Sequence, residues 1–470
     1  MNSSKIKYKN NIYISYYMDT KFTKDKLVIT SLNFSNELSK GNSFLCNKNT
    51  TIFNSSILKL KNSTNLLIAS RGWYGNIRTW SGVNFVILSV FNKDYKKLRQ
   101  NILEFNPNLD QLNELSGISG MSGMSGMTEM KGGMKGGMKG GMEGSDKIIS
   151  HNETTLKGPE DSRLFYHKGD IYIMFNELTP TKNRHMFVSK VDLGKLIYGE
   201  KKTICKSLST SFEKNWGTFI YKNKLHIVYD INPLKVFEVD DKFNCKSICN
   251  KHDSLFAKFA NSFPDLKFHL RNSTNLIDLG KNIFLGMGHS VLDYKNNTDI
   301  NKFLIPSFDK SKYSKEDKSY FKKYFKLYMG FFYKVDMNSK EITELSPFFQ
   351  LPNLESKQEL IFFPMSLHKD EKDFINVSYN VGDNRSYYLK LHLDIINLSL
   401  YKKENIDFQV NHNINLNYYQ ELIRNVRKLL GLSLKKADYY KFKDSGKASI
   451  NKSKRKSKRR TKRKTRHKRR

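Results

Sequence analysis

The stretch from Glu160 to Glu177 reads EDSRLFYHKGDIYIMFNE and has the pattern of a β-hairpin. It begins with charged side chains and continues as a strand in which side chains of opposite character alternate. It then turns at Lys168-Gly169-Asp170 and enters a second strand. Alternation with a period of two on both sides of a glycine-containing turn predicts two antiparallel strands. The fold class then depends on how often the chain repeats this pattern.

Four further stretches repeat it, and each has a polar start, a strand, a short turn and a second strand. They are Asn54 to Arg71, Glu213 to Pro233, Arg271 to Ser290 and Glu359 to Ser386. Ile77 to Val90 and Arg184 to Val191 read as outer strands that follow the first two hairpins. Without a Gly-rich insertion and a Lys-rich stretch at 309–324, the repeats start about 55 to 75 residues apart, which suits four-stranded blades.

We predict an all-β fold, a five-bladed β-propeller. A blade has two apolar faces that it cannot bury alone, and stacking five blades in a closed ring buries both. The composition agrees, because 13% of the residues are aromatic, with 32 Phe and 25 Tyr, which favour strands. The alternative is a β-sandwich with unusual loops.

Other segments depart from the blade pattern. Residues 117–145 contain Met-Ser-Gly steps and copies of Lys-Gly-Gly-Met, which predict a flexible surface insertion. Tyr418 to Leu434 places apolar residues at helical spacing and predicts a C-terminal helix that packs on the propeller. The propeller domain is therefore predicted to span residues 1–434, and a disordered basic tail residues 445–470.

The net charge is unevenly spread along the chain. The chain has a net charge of +36, and residues 451–470 hold 14 Lys and Arg and no acid, which leaves +22 for the rest. A cationic segment of this density predicts salt-sensitive binding to nucleic acid or another polyanion. An address signal and a solubility appendage are the alternatives. The insertion and the tail together also suit a particle protein of a large DNA virus.

The predicted location is intracellular, either cytoplasmic or nuclear, or a virion. Four cysteines are few for 470 residues, which favours a reducing compartment and makes any disulfide incidental. The spacing of Cys245 and Cys249 has no second pair near it, so no zinc site is predicted. The N-terminus has no continuous apolar segment, so secretion is not expected, and no run of 18 apolar residues predicts a membrane span.

The polar residues at the repeat starts are the candidate site, because the innermost strands of a propeller bring them to one axis. They combine carboxylates with cations: Arg71, Glu160, Asp161, Arg163, Glu213, Lys214, Asn215, Arg271, His289, Asp383 and Arg385. A carboxylic acid can protonate a glycosidic oxygen if its environment raises its pKa. Arginine and lysine bind phosphate. The residues imply no metal and no organic cofactor.

Several of these motifs resemble those of the mannoside phosphorylase and β-mannosidase family, which is related to propeller β-mannosyltransferases. Gly158-Pro159-Glu160-Asp161-Ser162-Arg163 is similar to the family's G-x-E-D-P-R signature. Glu213-Lys214-Asn215-Trp216 with Tyr229 to Pro233 is similar to its E-K-N-W … Y-S-I-x-P blade. Gly286 to Ser290 resembles its G-x-x-H strand, and Tyr379 to Asp383 its closing Y-G-x-x-D strand. The resemblance covers roughly residues 54–400 and implies a five-bladed propeller.

The resemblance implies that Asp161 is the general acid and that Arg163 orients the sugar or binds an anionic group. It also implies that Lys214, Arg271 and His289 line the phosphate side. The sequence departs from the family at Ser162, where proline is usual, at Arg271 to Thr274, which lacks the expected glycines, and at Asn380, where glycine is usual.

Structural roles are the alternatives for the same residues. Asp161 with Arg163 would be an ion pair between blade ends, and Glu213 with Lys214 would be charges at the rim. Trp216 would be a packing residue, His289 a satisfied buried histidine, and Asp383 with Arg385 part of a turn.

The predicted function is glycosyl transfer or phosphorolysis on mannose-like sugars, with a mannoside, a sugar phosphate or a nucleotide sugar as ligand. The alternative is a non-enzymatic propeller that binds glycan or is a structural component, tethered to nucleic acid by its tail.

Overall fold

A computed structural model of the chain describes residues 32–76, 81–104, 158–179, 183–208, 213–252, 255–256, 268–293, 326–346, 361–370, 372–382, 385–398 and 400–402. The predicted insertion at 117–145, the Lys-rich stretch at 309–324, the helix at 418–434 and the tail at 445–470 lie outside these residues. Within the described ranges, no helix has the length and apolar character needed to cross a membrane.

The described strands form five antiparallel sheets, which are the blades. Blade 1 contains β2 (Thr50–Lys59), β3 (Leu66–Asn76), β4 (Ser81–Phe91) and β5 (Lys97–Leu103). Blade 2 contains β6 (Glu160–His167), β7 (Asp170–Leu178), β8 (Arg184–Asp192), β9 (Ile197–Tyr198) and β10 (Lys202–Thr203). Blade 3 contains β11 (Gly217–Tyr221), β12 (Lys224–Ile231), β13 (Leu234–Val239) and β14 (Cys245–Lys251).

Blade 4 contains β15 (Phe268–Asn272), β16 (Ile277–Asp278), β17 (Ile283–Asp293), β18 (Lys326–Asp336), β19 (Glu341–Leu345) and β23 (Tyr401–Lys402). Blade 5 contains β20 (Phe362–Lys369), β21 (Phe374–Val381), β22 (Arg385–His392) and, as its outermost strand, β1 (Leu32–Asn33). The described helices are α1 (Phe34–Ser39), α2 (Leu393–Leu398) and a 3-10 turn at Lys206–Leu208. The predicted all-β, five-bladed propeller is confirmed.

Five hydrophobic clusters fill the five interfaces between consecutive blades. Neighbouring residues of a middle strand belong to different clusters, because successive side chains of a strand point to opposite faces. In β17, for example, Phe284 packs towards blade 3 and Leu285 towards blade 5. The ring closes where Tyr388 of blade 5 joins the apolar residues of blade 1, and where β1 pairs with β22.

The fourth hairpin differs from its prediction. Its inner strand β15 begins at Phe268 and leaves the ladder after Asn272, and β16 resumes the pairing with β17. In the interval Ser273 N–H and Thr274 N–H both donate to the Met287 carbonyl, and Thr274 Oγ1 accepts the Met287 N–H. Ser and Thr favour such local side-chain bonds over a regular ladder, which explains the break.

Polar side chains connect the inner strands of neighbouring blades. Ser366 Oγ on β20 accepts the N–H of Ile57 on β2 at 2.9 Å, and Ser56 Oγ on β2 accepts the N–H of Leu164 on β6 at 3.1 Å. Asn275 of blade 4 bonds both backbone groups of Leu367 on β20, each at 2.9 Å. Buried backbone groups that lack a strand partner are satisfied in this way.

Two of the four cysteines are paired in the structure. Cys205 forms a disulfide with Cys245, at a sequence separation of 40 residues, and so joins the end of blade 2 to β14 of blade 3. Cys46 is free and exposed, and Cys249 is free and buried.

We predict that Asn275→Ala lowers the free energy of unfolding by about 2 to 3 kcal/mol, because it leaves two backbone groups of Leu367 unpaired between blades. The matched control is Asn250→Ala at an exposed position of the edge strand β14, where the expected loss is within about 0.5 kcal/mol. Urea denaturation of both variants measures the difference. Equal losses would contradict the assigned role of the Asn275 amide.

Candidate active site at the propeller axis

The site begins with irregularities at the starts of the inner strands. The register shifts between Phe53 and Ser56 in blade 1 and between Glu160 and Arg163 in blade 2. Asn54 and Asp161 occupy these bulges with φ of 50° and 54°. Asn and Asp tolerate this left-handed conformation better than other residues with a side chain. The two bulges bring their side chains together, and Asn54 Nδ2 donates to Asp161 Oδ1 at 2.6 Å.

Arg71 connects the carboxylates at these strand starts. Its guanidinium lies 2.9 Å from Glu160 Oε1 and 3.5 Å from Asp161 Oδ1. Arg184 of β8 lies 3.1 Å from Glu160 Oε2. Asn84 of β4 holds both sides of the network, since its Oδ1 accepts from Arg71 Nε and its Nδ2 donates to Glu160. The result is a largely buried network of ion pairs in which the Asp161 side chain keeps 13% of its surface exposed.

The environment holds the pKa of Asp161 below its ordinary value. Burial alone would raise this pKa, but the charges of Arg71, Arg163 and Lys214 and the Asn54 hydrogen bond outweigh it. With these protein groups around it, Asp161 is a carboxylate at neutral pH. Protonation of Asp161 therefore requires a change in the surrounding charge.

A cleft of about 460 Å³ opens beside this network, between blades 3 and 4. Its lining residues are Glu213, Lys214, Asn215, Trp216, Tyr229, Asp230, His269, Arg271, Asn272, Val291 and Tyr328. Lys214 and Arg271 are exposed there, and neither forms an ion pair with a residue that the structure describes. Although solvent reaches Lys214, the protein around it lowers its pKa by burial, and Arg271 lowers it further by charge repulsion.

Arg163 and His289 lie deeper. Arg163 is 2% exposed and donates from Nη1 to the Met365 carbonyl across the axis, and burial lowers its pKa to about 10. His289 is 1% exposed, and its Nδ1 bonds Ser273 Oγ at 2.6 Å. Burial and the charges of Arg271, Lys214 and Arg163 lower the pKa of His289 well below its usual value, so its imidazole is neutral.

The structure thus brings most of the predicted site residues to one region, in two groups. Arg71, Glu160 and Asp161 form the ion-pair network, and Glu213, Lys214, Asn215 and Arg271 line the cleft. Trp216 is buried in the cluster between blades 2 and 3, in contact with Tyr229. Asp383 lies outside the described residues, so its assignment stays a prediction.

The sequence analysis missed other polar members of the site. Asn84 and Arg184 come from the third strands of their blades, and no signal at the repeat starts could indicate them. Asp230 carries a signal, because it stands where the family's Y-S-I motif has serine. Across the described ranges, no group of three His, Cys, Asp or Glu side chains is arranged to hold a metal ion.

No family model matches the chain. No curated protein matches its sequence. Among solved structures, it is similar to a β-1,2-mannobiose phosphorylase from Listeria innocua in complex with β-1,2-mannobiose, at 9% identity and a TM-score of 0.42, over 75% of this chain and 93% of that one.

A mannose phosphorylase from Leishmania mexicana in complex with phosphate is similar at 9% identity and a TM-score of 0.41, over 73% of this chain and 85% of that one. A GDP-Man-dependent mannosyltransferase from the same organism is similar at 9% identity and a TM-score of 0.39, over 81% and 94%. The predicted resemblance to these kinds of protein is confirmed among the structural neighbours.

We predict that Lys214 reacts with an amine-acylating reagent at about pH 8 severalfold faster than Lys222, an exposed lysine of the same blade, because a lowered pKa leaves more free amine. Removing the charge of its neighbour in Arg271→Gln should slow the reaction at Lys214 and leave Lys222 unchanged. Mass spectrometry of peptides measures both rates. If Lys214 reacted at the rate of Lys222 in both proteins, the assigned electrostatics would be wrong.

Proposed function

We propose that the protein is a glycan-active enzyme that transfers a glycosyl unit between a mannose-like sugar and a phosphate group. The observation that carries the proposal is the pair of cations in the cleft. Lys214 and Arg271 have no ion-pair partner among the described residues, and their proximity lowers the pKa of Lys214. A bound anion would relieve this repulsion, and the carboxylate of Asp161 lies close enough to contribute to the same electrostatic field.

In the direction of phosphorolysis, a phosphate oxygen attacks the anomeric carbon and the glycosidic bond breaks. The leaving oxygen takes a proton from Asp161. In the direction of transfer, Asp161 accepts the proton of the acceptor hydroxyl and phosphate leaves. The sugar inverts in both directions, because nucleophile and leaving group lie on opposite faces of the ring.

The proton at Asp161 is linked to the anion in this proposal. Lys214 is among the cations that hold the pKa of Asp161 down. A phosphate group at Lys214 and Arg271 offsets part of that positive charge, so the pKa of Asp161 rises when the anion binds. Asp161 then takes up the proton that it delivers to the glycosidic oxygen. The choice of mannose-like sugars in this proposal rests on the resemblance of the sequence motifs.

A second function is supported by the Arg71–Asp161 contact. An ionised carboxylate paired with a guanidinium is also what a structural ion pair requires. The protein would then be a propeller that binds glycan, or a structural component, without turnover. Its tail at 451–470, outside the described residues, would bind a polyanion such as nucleic acid.

We predict that Asp161→Asn lowers the rate of phosphorolysis or transfer by about 10² to 10⁴-fold, because the amide cannot donate or accept the proton. Binding of manno-oligosaccharides should change little. The assay measures sugar 1-phosphate formation from manno-oligosaccharides with inorganic phosphate, and the reverse reaction with acceptor sugars. The control is Asp170→Asn at the first residue of β7, whose carboxylate pairs with the exposed Lys190.

A wild-type protein that shows neither reaction across mannosides and sugar nucleotides, yet binds them, would favour the non-enzymatic function. Full activity of Asp161→Asn would be compatible with the proposed enzyme class but would show that Asp161 is not its general acid.

A further inference from the structure

Asp230 is a carboxylate in the cleft that the proposed chemistry does not use. It lies at the end of β12, where the register against β13 shifts between Val228 and Asp230. Its Oδ1 accepts the backbone N–H of Ile231 at 2.8 Å and of Asn232 at 3.3 Å. No residue that the structure describes donates a hydrogen bond to Oδ2, which leaves one oxygen of a cleft-lining carboxylate available as an acceptor.

The groups around Asp230 come from three sides. Lys235 lies on the paired strand β13, and His269 and Arg271 lie on β15. Glu213 and Lys214 precede β11, and Glu213 Oε1 accepts the Tyr229 hydroxyl at 3.0 Å. Burial raises the pKa of Asp230, while the two backbone donors, Lys235 and Arg271 oppose that rise. The net effect is a raised pKa, while the two backbone N–H donors favour the ionised form, in which Asp230 can accept a hydrogen bond from a ligand bound at Arg271.

A carboxylate accepts hydrogen bonds and cannot donate them. An anion placed between Arg271 and Asp230 is repelled unless it carries a proton that it can donate to the carboxylate. Inorganic phosphate keeps a P–OH group throughout the neutral range, because its last proton leaves only in strong base. A phosphate monoester keeps its P–OH group up to its second pKa of about 6. Sulfate has none, and neither do the phosphate groups that link the two halves of a nucleotide sugar.

We propose that Asp230 is a specificity-determining residue that admits protonated oxyanions to the cleft and excludes fully deprotonated ones. The P–OH of the ligand donates to Asp230, while Arg271 and Lys214 bind its charged oxygens. The inference rests on the proposed function and narrows it, since inorganic phosphate and sugar 1-phosphates become the favoured ligands over nucleotide sugars. Serine in the related Y-S-I motif would not impose this selection, because a hydroxyl both donates and accepts.

The test compares the binding of phosphate, arsenate and sulfate to the full chain by calorimetry at constant ionic strength and about pH 6.5. We expect phosphate and arsenate, which both carry a proton at this pH, to bind at least about tenfold more tightly than sulfate. In Asp230→Asn the amide can donate to any oxyanion, so sulfate should gain affinity and the ratio should fall towards one. Asp241→Asn, at a carboxylate that is 67% exposed in a turn of the same blade, should keep the wild-type ratio.

The outcomes separate this inference from the proposed function. Equal binding of phosphate and sulfate by the wild type would overturn the role of Asp230 and leave the anion site intact. Binding of neither anion by the wild type or by Asp230→Asn would remove the anion site itself, and with it both proposals. A folded Asp230→Asn that loses both anions would show that Asp230 maintains the site, which also overturns its role in selection.

The wild type alone provides a second measurement if the variant does not fold. Between about pH 5.5 and pH 8 a sugar 1-phosphate loses its only donor proton. Inorganic phosphate keeps a donor proton throughout this range, and sulfate remains a dianion without one. The affinity for the sugar 1-phosphate should therefore fall relative to the affinity for inorganic phosphate. A change in the charge of Lys214 or of another group in the cleft affects both anions, so the ratio of their two affinities isolates the effect of Asp230. A ratio that stays constant over this range would overturn the inference.

Discussion

The ring depends on how the innermost strands satisfy their backbone groups. These strands converge on the axis and cannot continue the sheets, so N–H groups on their free edges need other partners. Ser366, Ser56 and Asn275 supply those partners from adjacent blades. Each such bond connects the inner strand of one blade to the neighbouring blade. Hydrophobic clusters bury the faces of the blades, and the polar bonds connect the inner strands around the centre.

The same constraint places chemistry at the axis. A polar residue at the start of an inner strand is required for structure, and the bulges at Asn54 and Asp161 turn such residues towards each other. A left-handed conformation at a residue with a side chain costs about 1 to 2 kcal/mol. The surrounding ion pairs and hydrogen bonds offset that cost. Structural and functional demands therefore fall on the same few positions, which explains why many of the predicted site residues also had a structural alternative.

The hairpins were predictable because alternation and turn chemistry are local. The break in the fourth inner strand was not, since it depends on hydroxyl and backbone bonds of Ser273 and Thr274 that compete with the ladder. For the site, position in the repeat identified Asp161 and Arg71 as neighbours. Position in the repeat could not identify Arg184, which contacts Glu160 from the third strand of the blade. Strand periodicity predicts the face of the sheet on which a side chain lies, but not which residues a long side chain contacts. Asp230 could have been noticed only as a departure from the Y-S-I motif, because strand periodicity does not distinguish this position from its neighbours.

One electrostatic field connects the two halves of the site. Lys214 lowers the pKa of Asp161, and Arg271 acts on both Lys214 and Asp230. Coupling between two bound species is reciprocal, so an anion that raises the pKa of Asp161 must bind more tightly once Asp161 is protonated. Asp230 acts in the opposite sense, since its negative charge weakens every anion that brings no proton. In the proposed enzyme, therefore, phosphate binds tightly only under two conditions. Asp161 must hold the proton that it later donates to the glycosidic oxygen, and the phosphate must carry a proton that it can donate to Asp230.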